Sequence, residues 1–498
     1  MPDRGHGSDV PCSACRARGV RLRKGTGRLM GIQSRRDQVQ AQSYVLGRLT
    51  SALVLAEPEA AESPHRRTLV GTVAGLLVAA LVVAGFAVFG LLRPGGATSW
   101  RKPGTLVIEK ETGSRYVLVD DRLRPVLNYS SAVLLFGEAP KTASVSAASL
   151  RSVPRGQPLG IVAAPEALPR PGMLGNDVAW SVCALAGRDQ AGTLSTATIL
   201  ALNRNGIGEP LGNDEGLVVR AVDGESFLIW RARRYRLAGS WLGRLFGYDE
   251  PRTTVEAAWL DQVPAGPDIG PVTVPGRGER GPTIDGRPSV IGQHFVARVA
   301  GGVERHYVLQ RDGLSPLTAV GVAVVSSDPD TARTFGPGLA TAAALSAAAL
   351  AELRTSSQRS LPAGLPETPP TPAAAAGPGR IWCTRWSGGS STVAVATQAP
   401  AAGMAPVTDA TGIARTKRTA AAMSVAPGLG GLVRVGRPGQ APGAAYYLVT
   451  DAGIKYPLSG AGVAEVLGYP PQTATVVPGE LLDLLPTGPL LDPDLARR

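Results

Sequence analysis

The sequence predicts a mainly β protein with short helices. A single N-terminal transmembrane helix is followed by an elongated extracytoplasmic domain of four ββα-like repeats around a central β domain. Two observations support this. Residues 69–92 read LVGTVAGLLVAALVVAGFAVFGLL and contain no charged residue. After them helical periodicity disappears, and short alternating segments with Gly, Pro and Asp-Gly turns replace it.

The apolar run is long enough to cross a bilayer. Its 24 residues would extend over about 36 Å as a helix, against a hydrocarbon core about 30 Å thick. A core helix of a soluble domain would show a polar stripe, and a signal peptide would have a shorter apolar run. Gly71 and Gly75 place two small residues on one face, where another membrane helix could approach closely. Glycines scattered through an apolar helix are the alternative.

The charge distribution suggests an orientation. Residues 1–68 hold twelve Lys and Arg against six Asp and Glu, which places this arm in the cytoplasm by the positive-inside rule. The Lys and Arg residues close to the span give weaker support for a cytoplasmic arm, because more of them follow the span than precede it. They are Arg66 and Arg67 before it, and Arg93, Arg101, Lys102 and Lys110 after it.

Two cysteines in the large domain help to decide. Cys183 and Cys383 are the only cysteines after the span, and each lies beside a tryptophan in an apolar setting. Such a pair predicts one disulfide, which requires an oxidising compartment. Two unrelated buried thiols are the alternative. Together, charge and cysteines place residues 93–498 outside the cytoplasmic membrane.

The N-terminal arm contains one predicted helix. The first 32 residues are basic and Gly-rich, and Cys12-x-x-Cys15 is half of a zinc knuckle without a second half. Residues 33–56 predict an amphipathic helix that either lies on lipid or docks on a partner. Its candidate docking residues are Arg35, Arg36, Val45, Arg48, Leu49 and Leu53.

The large domain repeats a short pattern. Tyr116-Val-Leu-Val-Asp120 matches Tyr447-Leu-Val-Thr-Asp451, and the residues after each continue the match through Pro-Leu or Pro-Val-Leu to a Gly. Weaker copies begin at Phe227 and Tyr307. Each copy follows an apolar strand, and the final Gly is typical of a helix end. Such units cannot bury an adequate core alone, so the segments between them should supply a central β domain with pseudo-two-fold symmetry.

These patterns give the following boundaries. The arm is a disordered basic tail (1–32) and the helix with its connector (33–68), followed by the span (69–92). The large domain comprises repeat 1 (93–152), a first segment of the central domain (153–213), repeat 2 (214–263), a Pro/Gly linker (264–288), repeat 3 (289–338), an Ala/Pro-rich low-complexity insert (339–378), a second segment of the central domain (379–405), and repeat 4 with the C-terminal tail (406–498).

The sequence offers no catalytic motif. It contains neither G-x-x-x-x-G-K-[ST] nor G-x-S-x-G. His294 and His306 lie on predicted strands and are interpreted as structural. We therefore predict no catalytic residue, no cofactor and no metal site. The formal net charge of +12 favours contact with anionic lipid or envelope polymer over nucleic acid.

Several motifs, in this order, resemble the EccB family of actinobacterial type VII (ESX) secretion systems. They are Ser34–Leu53, the single span, Pro154–Ile161, Trp180-Ser-Val-Cys183, Leu309-x-x-Asp-Gly-Leu314, Trp382-Cys383 and Val449–Leu458. The resemblance implies a cytoplasmic N-terminal helix, four repeats around a central β domain, and a disulfide at Cys183 and Cys383. It implies the partners EccC (an FtsK-like motor), EccD (channel-like), EccE and the mycosin protease. Some family members are labelled ATPases, although this sequence has no nucleotide motif that supports ATP as a cofactor.

Three functions follow as hypotheses. The first is a scaffold subunit of a secretion complex in the cytoplasmic membrane. The second is an ATP-hydrolysing component with an unrecognised site. The third is a module that binds the cell wall, with Trp230, Trp241 and Trp259 stacking on peptidoglycan sugars.

Overall fold

The computed structural model describes residues 35–55, 64–92, 98–188, 194–247, 253–339, 341–373, 381–396, 404–437 and 439–498. The chain divides into two compact units, Met1–Pro94 and Gly95–Arg498. The basic tail, including Cys12 and Cys15, and most of the connector at 56–63 lie outside the described residues.

The first unit contains two helices, α1 (Arg35–Leu55) and α2 (Pro64–Leu92). α1 lies within the helix predicted at 33–56. In α2, Pro64 occupies the first position, where its missing N–H leaves no hydrogen bond unmade. Of the described residues, only Thr68–Phe89 is long and apolar enough to cross a membrane, with a mean hydropathy of 2.5.

The second unit begins with module 1. Its elements are β1 (Thr105–Glu109), β2 (Arg115–Val119), β3 (Arg122–Pro125), α3 (Tyr129–Phe136), β4 (Lys141–Val145) and α4 (Ala147–Leu150). Asp120 and Asp121, with φ of 50° and 54°, form the β2–β3 turn in a left-handed conformation that Asp tolerates. Asn128 caps α3 by accepting from the N–H of Ser131, and Gly137 at φ 77° ends it.

The remaining elements follow in chain order. The first central strands are β5 (Ala179–Arg188), β6 (Leu194–Asn203) and β7 (Glu209–Pro210). Module 2 comprises β8 (Glu215–Ala221), β9 (Ser226–Trp230), β10 (Arg233–Arg236), α5 (Ser240–Leu245), β11 (Thr253–Val255) and α6 (Ala257–Leu260). A hairpin follows, with β12 (Arg280–Ile284) and β13 (Arg287–Val290).

Module 3 comprises β14 (His294–Arg298), β15 (Glu304–Gln310), β16 (Gly313–Leu317), α7 (Ala319–Ser327), α8 (Pro329–Leu339), β17 (Ala343–Leu345) and α9 (Ala347–Glu352). Then come β18 (Thr371–Pro372) and the central strands β19 (Ile381–Ser387), β20 (Ser390–Ala396), β21 (Ala405–Pro406) and β22 (Ala422–Val425). Module 4 comprises β23 (Gly431–Val435), β24 (Tyr446–Val449), β25 (Lys455–Leu458), α10 (Ala461–Val466), β26 (Thr475–Val477), α11 (Gly479–Leu482) and α12 (Pro493–Ala496).

All four modules have the same strand order. Counted along the chain, the strands of each sheet lie in the order third, second, first, fourth, and the fourth runs parallel to the first. In each module the chain then returns along the third strand. The bridges that record this return are Leu123–Arg155, Arg234–Ala265, Leu314–Thr355 and Lys455–Thr487.

This topology differs from the predicted ββα-like unit, which lacked the parallel strand and the second helix. The prediction that residues 339–378 form an insert is wrong where the structure describes them. Ala343–Leu345 completes the sheet of module 3, and Thr371–Pro372 pairs with β8. The linker predicted at 264–288 also contains structure. Its first residues run along β10 and its last ones form the β12–β13 hairpin.

A seven-stranded central sheet connects the modules, in the order β21-β22-β6-β5-β19-β20-β7. Trp180, Trp382 and Trp386 lie in a buried cluster that includes side chains from modules 2 and 4. A second cluster joins module 1 to module 4, and a third joins module 2 to module 3. The fold of this unit is therefore mainly β with few helices, and each outer module packs on an inner one.

Candidate interaction surfaces and the comparison with known proteins

The predicted disulfide is present in the structure. Cys183 on β5 and Cys383 on β19 face each other directly in the antiparallel register. Their Sγ atoms are bonded and their Cα atoms lie 4.0 Å apart. Both side chains are fully buried among Ile199, Ile381 and Ala396. The bond therefore joins the two halves of the central sheet, which are 200 residues apart in the chain.

The apolar docking residues of α1 are exposed. Val45, Leu49 and Leu53 are 54%, 55% and 82% exposed, and Leu46 joins them at 61%. At about 100° per residue these four positions lie within one stripe about 100° wide. Sequence reasoning passed over Leu46. The spacing makes this stripe a candidate contact, and the docking role stays a prediction.

Two of the charged docking residues, Arg36 and Arg48, lie outside this stripe on other faces of α1. Arg36 is exposed, and the guanidinium of Arg48 lies 6.0 Å from the centre of the Tyr44 ring. The side chain of Arg35 lies outside the described residues. The guanidinium groups of Arg36 and Arg48 are therefore accessible to acidic groups of a partner protein or of lipid.

Gly71 and Gly75 lie one helical turn apart on α2. A methyl group added at either position would meet open space, with no heavy atom within 4 Å. The described side chains of α2 at 68–89 are exposed throughout. The role of these glycines in helix packing therefore stays a prediction.

A chain of ion pairs links modules 2 and 4, and sequence reasoning did not find it. Arg234 donates to Asp261 at 3.1 Å, Arg418 approaches Asp261 at 3.3 Å and Asp483 at 3.6 Å, and Lys455 lies 3.9 Å from Asp483. Burial lowers the pKa of Lys455, and the carboxylate of Asp483 opposes this shift. The Arg418–Asp261 pair, which links the two modules, joins residues more than 150 positions apart, so no local pattern could reveal it.

Two of the three tryptophans assigned to sugar stacking make contacts within the protein. Trp259 is fully buried, so its assignment is wrong. Trp230 donates its N–H to the carbonyl oxygen of Asn213, and the guanidinium of Arg231 lies 4.5 Å from its ring centre. Trp241 is half-buried. Among the described residues, no three His, Cys, Asp or Glu side chains are grouped to hold a metal ion.

Comparison with known proteins connects this architecture to a family. A family model described as "Type VII secretion system ESX-1, transport TM domain B" matches residues 32–498. The chain is 29% identical to the "ESX-3 secretion system ATPase EccB3" of Mycolicibacterium smegmatis, over 59% of this chain and 58% of that protein. It is 27% identical to the "ESX-1 secretion system ATPase EccB1" of Mycobacterium tuberculosis, over 94% and 95% of the two chains.

Solved structures share the fold. A chain of the intact ESX-5 inner membrane complex matches with a TM-score of 0.61 and 21% identity, over 95% of this chain and 96% of that chain. The EccB3 dimer from the ESX-3 core complex matches with a TM-score of 0.61 and 23% identity, over 79% and 99%. The match to the M. smegmatis relative spans less than two thirds of that protein, whereas the family model extends over nearly the whole sequence. This chain belongs to the EccB family of type VII secretion systems.

Proposed function

We propose that this protein is a scaffold subunit of a type VII secretion complex in the cytoplasmic membrane. The observation that carries the proposal is the family match across 32–498, which includes α1, α2 and all four modules. Two of the solved relatives come from an ESX-5 inner membrane complex. In this role, one exposed apolar helix connects a small helical arm to a large β unit.

The proposed orientation places α1 in the cytoplasm and residues 93–498 on the extracytoplasmic face. The excess of Lys and Arg in the arm and the buried disulfide support it, because disulfides persist in oxidising compartments. In this orientation α1 would contact EccC-like motor and EccD-like channel subunits, with EccE as a further membrane partner. The outer modules would be available to the mycosin protease and to peptidoglycan.

The four modules are, in this proposal, repeats of one unit arranged with pseudo-two-fold symmetry about the central sheet. Their common strand order supports this, and so does the packing of module 1 on module 4 and of module 3 on module 2. Such an arrangement would present two similar outer ends to partners.

Affinity purification of the full chain from detergent-solubilised membranes, followed by a native gel, tests the scaffold role. We expect the protein to migrate in a megadalton-scale assembly together with the other secretion subunits. Migration as a free subunit in cells that carry an active secretion system would contradict the proposal.

The Gly71→Leu, Gly75→Leu double variant should weaken this assembly. Leucine side chains on this face would keep a neighbouring helix backbone from close approach, while the apolar length needed for insertion is unchanged. We expect a several-fold loss of co-purified membrane subunits. The matched control is Leu76→Ile with Leu77→Ile, which keeps the glycines. Equal recovery of partners with both variants would show that the glycines are not a packing face.

ATP hydrolysis is the second candidate, because the relatives are named ATPases. Phosphate release by the purified full chain, measured against a mock preparation from cells without the gene, tests it. Turnover that copurifies with the chain through a second column would favour this function.

A further inference from the structure

Module 3 contains a pair of histidines in direct contact. His306 on β15 faces Val296, two residues after His294 on β14, so both rings lie on the same face of the sheet. Nε2 of His294 and Nδ1 of His306 are 3.0 Å apart. His294 is 4% exposed, and its Nδ1 is buried without a hydrogen-bond partner among the described residues. His306 is half-buried.

The two facing nitrogens can hold only one proton between them. When both rings are neutral, one proton lies between the facing nitrogens. We assign Nε2–H of His294 as the donor and Nδ1 of His306 as the acceptor, because the opposite tautomer would leave an unpaired N–H at the buried Nδ1 of His294. The second proton then resides on Nε2 of His306, the ring that reaches the surface. A third proton must go either between the facing nitrogens, which places two N–H groups against each other, or on the buried Nδ1 of His294. Either choice destabilises the pair, because an unpaired buried N–H is costly.

Among the described residues on this face of module 3, no unpaired carboxylate is available to stabilise an added positive charge. The charged residues on the pair's own strands and on the neighbouring segments are Arg244, Arg298, Glu304, Arg305, Asp328, Asp330, Arg333, Glu352 and Arg359. Arg305 is opposite Ala297 in the register and therefore lies on the other face of the sheet. Glu352 belongs to α9, which packs against that other face through Ala349. Each of the other nearby carboxylates forms an ion pair with an arginine: Glu304 with Arg298, Asp328 with Arg277 and Asp330 with Arg333. α7 has no charged residue, and Ser315, Leu317 and Ala344 are the residues of β16 and β17 on this face.

The position of His294 is apolar in module 1. Ser146 and Ser346 precede the last helix of their modules, α4 and α9. These two serines therefore hold equivalent positions. When the parallel strand pairs of the two modules are aligned from these serines, His294 falls at the position of Leu106. Leu106 packs with Ala132 of α3, so an apolar side chain fits this place in the fold. Val320, Val324 and Val325 of α7, the equivalent helix, pack against Leu242 and Phe246 of module 2.

We propose that the His294–His306 pair is an acid-sensitive latch that keeps module 3 closed under α7 and thereby keeps module 3 docked on module 2. Acidification adds the proton that the contact cannot hold, and the α7 face loosens.

The direction of the pH dependence follows from the titration of His294. Burial, and secondarily the neighbouring His306, lowers the pKa of His294 to about 4, below the value of about 6.5 that an unfolded histidine has. The neutral ring therefore stabilises the closed state fully above about pH 6.5. This contribution is lost as the pH falls, and the equilibrium constant for opening should rise about tenfold per pH unit between about 6.5 and 4.

Hydrogen exchange with mass spectrometry on the full chain in detergent tests the latch. Exchange is measured at pH 7.5 and 5.0 and corrected for the intrinsic rate. We expect protection of α7 and of β14–β15 to fall at least tenfold, while α3, the equivalent helix of module 1, keeps its protection. In the His294→Leu variant, which takes the residue of module 1, α7 should stay protected at both pH values.

Two outcomes would overturn the proposal. One is equal behaviour of α7 and α3 in the wild-type chain, a comparison that needs no variant. The other is an unchanged acid response of α7 in His294→Leu. His65→Gln serves as a matched control, because it removes a histidine from α2 and should leave the response of α7 as in the wild type.

Discussion

Replacing Cys183 and Cys383 together by serine should lower the free energy of unfolding of residues 95–498 by up to about 5 kcal/mol through the loss of the cross-link alone. The chain-entropy model gives this upper limit for a loop of about 200 residues. The two sulfurs are also fully buried, and buried hydroxyls without partners would add a further cost. Denaturant unfolding of the purified full chain, followed by tryptophan fluorescence, measures the change, because Trp180 and Trp382 flank the bond.

Cys12→Ser with Cys15→Ser is the matched control and should leave the unfolding midpoint unchanged. Peptide mapping without reduction should recover one cross-linked peptide pair from the wild-type protein. Full alkylation of both thiols in protein taken directly from cells would contradict the predicted bond. An unfolding free energy equal to that of the wild type would show that the bond does not stabilise the central sheet.

Deleting residues 33–56 should leave a correctly inserted protein that no longer retains its cytoplasmic partners. If the arm is cytoplasmic, α1 and the connector are the regions of this chain that can reach a motor on that side. A connector of about twelve residues spans at most about 40 Å, so α1 stays close to the membrane. Affinity purification followed by mass spectrometry should show the loss of EccC- and EccD-like subunits.

A pair of single substitutions makes this test sharper. Leu49 lies in the exposed apolar stripe of α1, and Gln40 lies about 180° around the helix from it. Burying a leucine contributes about 1.5–3 kcal/mol, so Leu49→Ser should weaken partner binding at least tenfold. Gln40→Ser should have little effect. Retention of all subunits by the deletion variant would mean that assembly runs through α2 and the outer modules.

The sequence allowed prediction where the signal is local. The apolar run of α2 needs only its composition. The parallel fourth strand was missed because it is short and weakly apolar. In β4, Lys141-Thr-Ala-Ser-Val145 buries only its last residue fully, and β17 is three residues of an Ala-rich run. β4 alternates only weakly over its last four residues, because Ala143 is small, and β17 shows no alternation of polar and apolar residues.

The sequence also contains a signal for the segment that returns along the third strand of each module. The segment Val153-Pro-Arg-Gly156 recurs as Val263-Pro-Ala-Gly266 and as Leu485-Pro-Thr-Gly488. These glycines let the returning chain approach the third strand, since a methyl group on Gly266 would lie 2.7 Å from the Tyr235 ring. By contrast, the His294–His306 contact and the Asp261 ion pairs depend on register and on distant segments. No local pattern contains them.

The position of β5 in the central sheet has a consequence for the order of folding. β5 pairs with β6, which follows it closely, and with β19, which is synthesised some 200 residues later. Until β19 arrives, one edge of β5 is open and Cys183 has no partner. The antiparallel strand pairs of modules 2 and 3, which lie between β5 and β19 in the chain, join residues close in sequence and can form before this pairing. We therefore expect biphasic refolding, with fast local closure and a slow phase set by this long-range pairing.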